Sequence, residues 1–301
     1  TISGVEEGWS GYSKITYTTN VHISITTQHP IMYDAIIETV GVSAKSDNYD
    51  NWIPKGPPIG ETDNDRGNSL GFKVHLVNKK KPNETVTGVD FDVSYKLDDV
   101  SHEPGYCNDY PLTDSKNEPD LKFDDREAQN DISYSPQKLS TLNNNGEHFF
   151  AVITSYDYGS FAKMTVTVSL KYGVSINAHF KNDNKTTIPI PKDENNNQIA
   201  DAWEKKLNVD VYNKNYSSGW DAEKQKLNGR VVNNHDGDGL TLYEEYRGLI
   251  CVGSDGKREY ERLDPNKKEV FVLNQIGEKA KPGEALFYRA SGIKLIELSD
   301  R

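Results

Sequence analysis

The segment Asn234 to Glu245, NHDGDGLTLYEE, sets oxygen-bearing side chains at Asn234, Asp236 and Asp238, a glycine at Gly239 and a closing acid at Glu245. A hard cation such as Ca²⁺ gathers roughly 6–8 oxygens at about 2.3–2.6 Å, so a short loop that binds one must present alternate side chains inward and then turn sharply. In this pattern Gly239 supplies left-handed backbone, Leu240 offers its carbonyl, and Glu245 closes the cage from the first turns of the helix that follows. An upstream copy, Asp193 to Glu204, reads DENNNQIADAWE. There Asp193, Asn195, Asn197, the carbonyl of Ile199, Asp201 and Glu204 take the corresponding places, and Gln198 stands where the turn prefers glycine. Asn and Asp also favour polar turns that hold no metal, so the expectation of two Ca²⁺ rests on the spacing of the whole ligand set and not on composition.

Each loop must be followed by a helix that fixes its closing acid. Trp203 and Leu207 are four apart, as are Leu242 and Tyr246, which predicts a short helix with one apolar stripe after each loop. Gly248 is the expected stop for the second. Between the loops, Trp220 to Leu227 is expected to be helical, with Ser218 as cap and Gly229 at its end. Stripes this small bury little, so ion binding is expected to supply part of the folding free energy of residues 189–250.

The two loops resemble the calcium repeats of thrombospondin type 3 and related EF-hand-like loop-helix modules of secreted bacterial multidomain proteins, whose pattern is DxDxDGLxDxxE. Asp236, Asp238, Gly239, Leu240 and Glu245 match it, with Asn234 for Asp and Leu242 where a further acid is usual. Asp193, Asp201 and Glu204 match upstream, with Ile199 for leucine, Asn195 and Asn197 for acids and Gln198 for glycine. The resemblance implies a secreted or cell-surface, extracellular or periplasmic setting.

Upstream of the loops the texture is strand and turn. Val89, Phe91, Val93, Tyr95 and Leu97 alternate with polar residues, and Met164, Val166, Val168, Leu170 and Tyr172 do the same, a period of two that buries one sheet face. Val21, Ile23 and Ile25, Phe72, Val74 and Leu76, and Phe149 with Val152 mark further strands. The stretch AVITSYDYGSFAKMTVTVSLKY, Ala151 to Tyr172, resembles the last hairpin of bacterial immunoglobulin-like and cadherin-like domains, with a D-x-G turn at Asp157 and Gly159. The expected fold is mainly β, an antiparallel Ig-like β-sandwich over 1–188 with long loops near 103–147. The calcium-binding loop-helix unit over 189–250 and a β-α-β segment over 251–301 follow it. In that last segment Val270 to Leu273 and Ile293 to Leu298 are strands, and Pro282 to Ala290 between them is a helix.

Composition narrows the function classes. A formal net charge of −11 argues against nucleic acid and anionic membrane surfaces as partners. No apolar run reaches the roughly 18–20 residues of a membrane span. The start at Thr1 and the end at Arg301 read as a trimmed or mature product. Cys107 and Cys251 are compatible with one disulfide or two thiols. Gly67 to Gly71 matches G-x-S-x-G, but Ser69 leads into an alternating strand and not a helix, which is the wrong setting for a nucleophile. The histidines lack zinc spacing, and the acidic run Asp120, Asp124, Asp125 and Glu127 reads as a solvated loop. Tyr156, Tyr158 and Trp52 are candidates for a glycan or protein contact. Two functions remain: a calcium-braced structural or adhesive module, or the non-catalytic region of a secreted hydrolase, a metallopeptidase or glycan-degrading enzyme, whose catalytic domain lies outside this chain.

Overall fold

The computed structural model describes residues 2–10, 13–21, 32–41, 48–59, 66–102, 119–124, 132–141, 149–171, 173–207, 226–227, 230–231, 238–253 and 256–298. Two compact units emerge, Thr1–Met32 and Tyr33–Arg301. The first is an antiparallel hairpin of β1 (Ile2–Ser10) and β2 (Ser13–Val21). Val21 closes β2, while Ile23 and Ile25 lie outside the described residues.

The second unit is mainly β. Its first part carries β3 (Tyr33–Val40), β4 (Ser69–Asn78), β5 (Lys81–Thr85), β6 (Phe91–Asp98), β7 (Leu121–Phe123) and β8 (Ile132–Ser135). There follow β9 (Lys138–Thr141), β10 (Phe150–Ser155), β11 (Ala162–Leu170), β12 (Ser175–Asn177), β13 (His179–Phe180) and β14 (Thr187–Ile190). One six-stranded sheet runs β13-β3-β4-β10-β7 with β5 beside β4, and the other runs β12-β11-β6-β9-β8 with β14 beside β11. Alternation explains how they meet: Phe72, Val74 and Leu76 of one sheet and Phe91, Val93, Tyr95, Met164 and Val166 of the other belong to a single buried core.

Four expectations change here. The stretch Ala151 to Tyr172 is not a hairpin: β10 pairs with β4 and β7, whereas β11 pairs with β6, β12 and β14, so the Asp157–Gly159 turn carries the chain from one sheet to the other. Periodicity identifies strands, but the partner of a strand is decided by packing across the whole sheet. The region near 103–147 is not all loop, since it contains β7, β8 and β9, three or four residues each and too short for alternation to register. Asp120 and Asp124 are buried and not solvated; Asp124 Oδ1 accepts from the Arg66 guanidinium at 2.8 Å, while Asp125 and Glu127 lie outside the described residues. Trp52 is 1 % exposed within the core and Tyr158 is buried in a stack on Tyr260, so neither offers a contact surface. Ser69 opens β4 with its hydroxyl hydrogen-bonded to Thr154 at 2.8 Å, which is a strand-to-strand contact and not a raised nucleophile.

After β14 come α1 (Asp201–Lys206), the two-residue strands β15 (Lys226–Leu227) and β16 (Arg230–Val231), and α2 (Leu242–Arg247). Lys226 and Leu227 pair with Val231 and Arg230, so the helix expected to run to Leu227 does not reach it; Ser218 and Trp220 lie outside the described residues. The chain continues as β17 (Leu249–Val252), β18 (Arg258–Glu261), β19 (Glu269–Leu273), α3 (Lys281–Ser291) and β20 (Lys294–Leu298). Strands β19 and β20 are parallel and joined through α3 in a β-α-β turn. That turn does not stand alone, because β20 also pairs with β17 in a four-stranded sheet of order β18-β17-β20-β19. Among the described residues no helix is long and apolar enough to cross a membrane.

Three cores therefore follow one another along the second unit. The large one lies between the two sheets, a small one gathers Ile53, Ile199, Trp203, Leu242 and Tyr246, and another gathers Leu249, Cys251, Leu263 and Ile296. Cys251 is a buried free thiol whose pKa burial pushes up, and Cys107 lies outside the described residues.

Candidate metal centre

The two short helices face each other through Trp203 and Tyr246, whose rings meet edge to face with centroids 5.2 Å apart. This contact places the ends of both loops beside one small core. Helix α2 begins on a capping box, in which the Thr241 hydroxyl accepts from Glu244 N–H at 3.2 Å and Glu244 Oε2 accepts from Thr241 N–H at 2.7 Å. Thr241 and Glu244 stand at the T-x-x-E spacing that marks this cap, a signal the Ca²⁺ pattern alone does not use. Gly248 ends the helix at φ +71°, and a Cβ there would sit 2.2 Å from the Glu261 carbonyl oxygen, so only glycine fits.

The upstream loop is described throughout. Asp193 accepts from two backbone N–H groups, Asn197 to Oδ1 at 3.1 Å and Gln198 to Oδ2 at 2.7 Å, and so curls the loop around its own carboxylate. Asn195 Oδ1 accepts from Asn197 N–H at 3.1 Å and Asn197 Oδ1 accepts from Ile199 N–H at 2.9 Å. A carbonyl oxygen has two lone pairs, so each amide oxygen keeps capacity for a further partner. Gln198 adopts φ +69°, the left-handed turn that the loop pattern asks of glycine at this place. Ile199 is fully buried and anchors the loop in the small core.

Asp201 and Glu204 are both 0 % exposed. Asp201 Oδ1 accepts from Glu194 N–H at 3.0 Å, while Oδ2 has no hydrogen-bond partner among the described residues and its cation, Lys205 Nζ, is 3.8 Å away. Glu204 Oε1 accepts from the Asn197 amide at 2.9 Å and the Asn195 amide at 3.4 Å, and Oε2 is buried with no hydrogen-bond partner among the described residues. An ionised carboxylate loses several kcal/mol when taken out of water uncompensated, so such a group takes up a proton or a cation. Burial pushes Asp201 up to about 6 and Glu204 up to about 7, and it raises Asp193 against the backbone hydrogen bonds that hold its charge. Oxygen-only donors, three of them carboxylates in Asp193, Asp201 and Glu204, suit a hard cation and do not suit zinc or copper.

The left-handed Gln198 makes a direct prediction. An L-residue there costs about 1–2 kcal/mol that glycine avoids, and glycine gives back roughly 0.5–1 kcal/mol in chain entropy. Gln198→Gly is therefore expected to raise the melting temperature in chelator by a degree or more; a variant that melts at or below wild type would mean the turn stores no strain.

In the downstream loop, Asp238, Gly239, Leu240 and Glu245 are described, and Asn234 and Asp236 lie outside the described residues. Gly239 has φ +98°, Asp238 Oδ1 accepts from Leu240 N–H at 2.9 Å, and Glu245 is fully buried on α2. Asp238, Glu245 and a residue outside the loop, Glu269, each place a carboxylate oxygen within 4.8 Å of the others. Glu269 opens β19, and nothing local to it signals a ligand beyond an acid heading an apolar strand. Comparison with known proteins finds no family model and no curated protein that matches this chain. The chemistry of the site therefore rests on its own residues.

Proposed function

We propose that this chain is a calcium-braced structural or adhesive module of a secreted or cell-surface bacterial protein, an Ig-like sandwich held to a loop-helix unit by two Ca²⁺. Asp193, Asn195, Asn197, the Ile199 carbonyl, Asp201 and Glu204 would hold one ion. Asn234, Asp236, Asp238, the Leu240 carbonyl and Glu245 would hold the other. The observation that carries this reading is the upstream loop, where the buried carboxylate oxygens of Asp201 and Glu204 are costly without a proton or a cation. The role of each ion would be to offset the charge of its carboxylates and to order a segment whose own core is small. Ordering costs about 1–2 kcal/mol per residue, while each large apolar side chain returns about 1.5–3 kcal/mol on full burial. Ile53, Ile199, Trp203, Leu242 and Tyr246 cannot by themselves offset the ordering of both loops.

Calorimetric titration and thermal melts of the chelator-stripped chain test this. Two Ca²⁺ per chain are expected, with dissociation constants of roughly 10⁻⁴–10⁻³ M as in extracellular modules. At a hundredfold excess over that constant each site adds about 2.7 kcal/mol, or several degrees in melting temperature, with little effect of Mg²⁺. Asp238→Ala is expected to remove one ion and about half of the shift. A stripped chain that neither binds Ca²⁺ nor melts higher in its presence would sink the proposal.

A further inference from the structure

We propose that Glu269 is a ligand of the downstream ion, supplied from outside the loop, so that the cation pins the C-terminal β-α-β turn to helix α2. The inference deepens the calcium reading above and rests on it. Three observations carry it. The Glu269 side chain is 6 % exposed, and its Oε2 has no hydrogen-bond partner among the described residues. One of its carboxylate oxygens comes within 4.8 Å of those of both Asp238 and Glu245. Its backbone N–H donates to Asp238 Oδ2 at 3.3 Å, which holds the start of β19 against the loop.

Three carboxylates drawn together, Glu245 and Glu269 buried and Asp238 half-buried, repel one another unless a proton or a cation is shared among them. Within the loop itself Leu242 stands where a further acid is usual; its hydrocarbon side chain carries no oxygen and is fully buried beside Trp203 and Tyr246. Glu269 supplies an anionic oxygen to the same ion from a different part of the chain. The topology gives that ligand a mechanical consequence. Glu245 lies on α2, α2 runs directly into β17, and Glu269 lies on β19 at the far edge of the sheet that β17 shares with β20. An ion bound by both acids closes that path, and removing it frees the edge strand.

Glu269→Gln keeps the shape and one acceptor oxygen and removes the charge. In Ca²⁺ titrations of the full chain, one site is expected to weaken by on the order of 10–100-fold while the other keeps its wild-type affinity. Glu204→Gln is expected to weaken the opposite site. In wild type, hydrogen exchange at the amides of Val270 to Leu273 is expected to slow on adding Ca²⁺, and this slowing is expected to be lost in Glu269→Gln. Wild-type affinity at both sites in Glu269→Gln, or no Ca²⁺-dependent slowing in wild type, overturns the ligand role and leaves the two-loop reading standing. Failure of the wild-type chain to bind any Ca²⁺ overturns both together. The exchange measurement on wild type decides the matter even if the variant does not fold.

Discussion

Arg247→Ala is expected to cost about 3–5 kcal/mol, the largest effect of any single substitution considered, because it removes the guanidinium that faces a buried carboxylate. Arg247 at the end of α2 is 2 % exposed, and its guanidinium donates to Asp157 Oδ2 at 2.7 Å, with Asp157 1 % exposed. Asp157 also accepts from Gly159 N–H at 2.6 Å. The arginine stem lies so close to Gly159 that a Cβ there would sit 2.4 Å from Arg247 Cγ, and the Tyr243 hydroxyl donates to the Gly159 carbonyl at 3.2 Å. The inter-sheet turn and the helix of the downstream loop are therefore one joint. Arg262 reinforces it by donating to the Tyr246 carbonyl at 2.7 Å and to the Pro54 and Tyr158 carbonyls. Urea unfolding at saturating Ca²⁺ checks the prediction. A loss below about 1 kcal/mol would mean that water reaches Asp157 once the arginine is gone. Asp157→Ala/Arg247→Ala is expected to cost less than the sum of the single changes, since both charges of the buried pair are then removed together.

The second large effect is a reversal of pH dependence by Ca²⁺. Burial pushes Asp201 up to about 6, and Glu204 and Glu269 up to about 7. Unfolded carboxyls titrate near 4, so between about pH 4 and 7 the folded state holds more protons than the unfolded one. Stability then falls as pH rises. The contribution is complete below the unfolded pKa and is lost as pH passes the folded values of about 6 and 7. In chelator the melting temperature is expected to drop from pH 4.5 to 7.5. With millimolar Ca²⁺ the cation competes with those protons and binds best once they have left, so the stabilisation by Ca²⁺ is expected to grow over the same range. Glu204 alone accounts for up to ~3 kcal/mol of the chelator slope. Glu204→Gln should flatten that slope, which separates its contribution from those of Glu38, Asp99 and Asp264, whose pKa values are lowered and act in the opposite sense. A chelator profile that rises with pH in wild type and is unchanged by Glu204→Gln would defeat the argument.

What the sequence determined by itself was local. The alternation of β6 and β11, the short helices α1 and α2, the glycine stop at Gly248 and the β-α-β order of β19, α3 and β20 all follow from spacings within one turn or one strand. The left-handed bend at Gln198 is of the same kind, because the side chains that wind the loop, Asp193, Asn195 and Asn197, lie within five residues of it. Such features are readable because the energy that selects them comes from near neighbours.

Tertiary structure decided what distant segments do to one another. It set β10 and β11 in different sheets, joined Asp157 to Arg247, buried Asp120, Asp124 and Trp52, and brought Glu269 to Asp238 and Glu245. None of these has a local signature, since an acid at the head of a strand looks the same whether it faces water or two other carboxylates. The partner of a buried charge is chosen by the packing of all the elements around it, and that sum is taken only when the chain has folded.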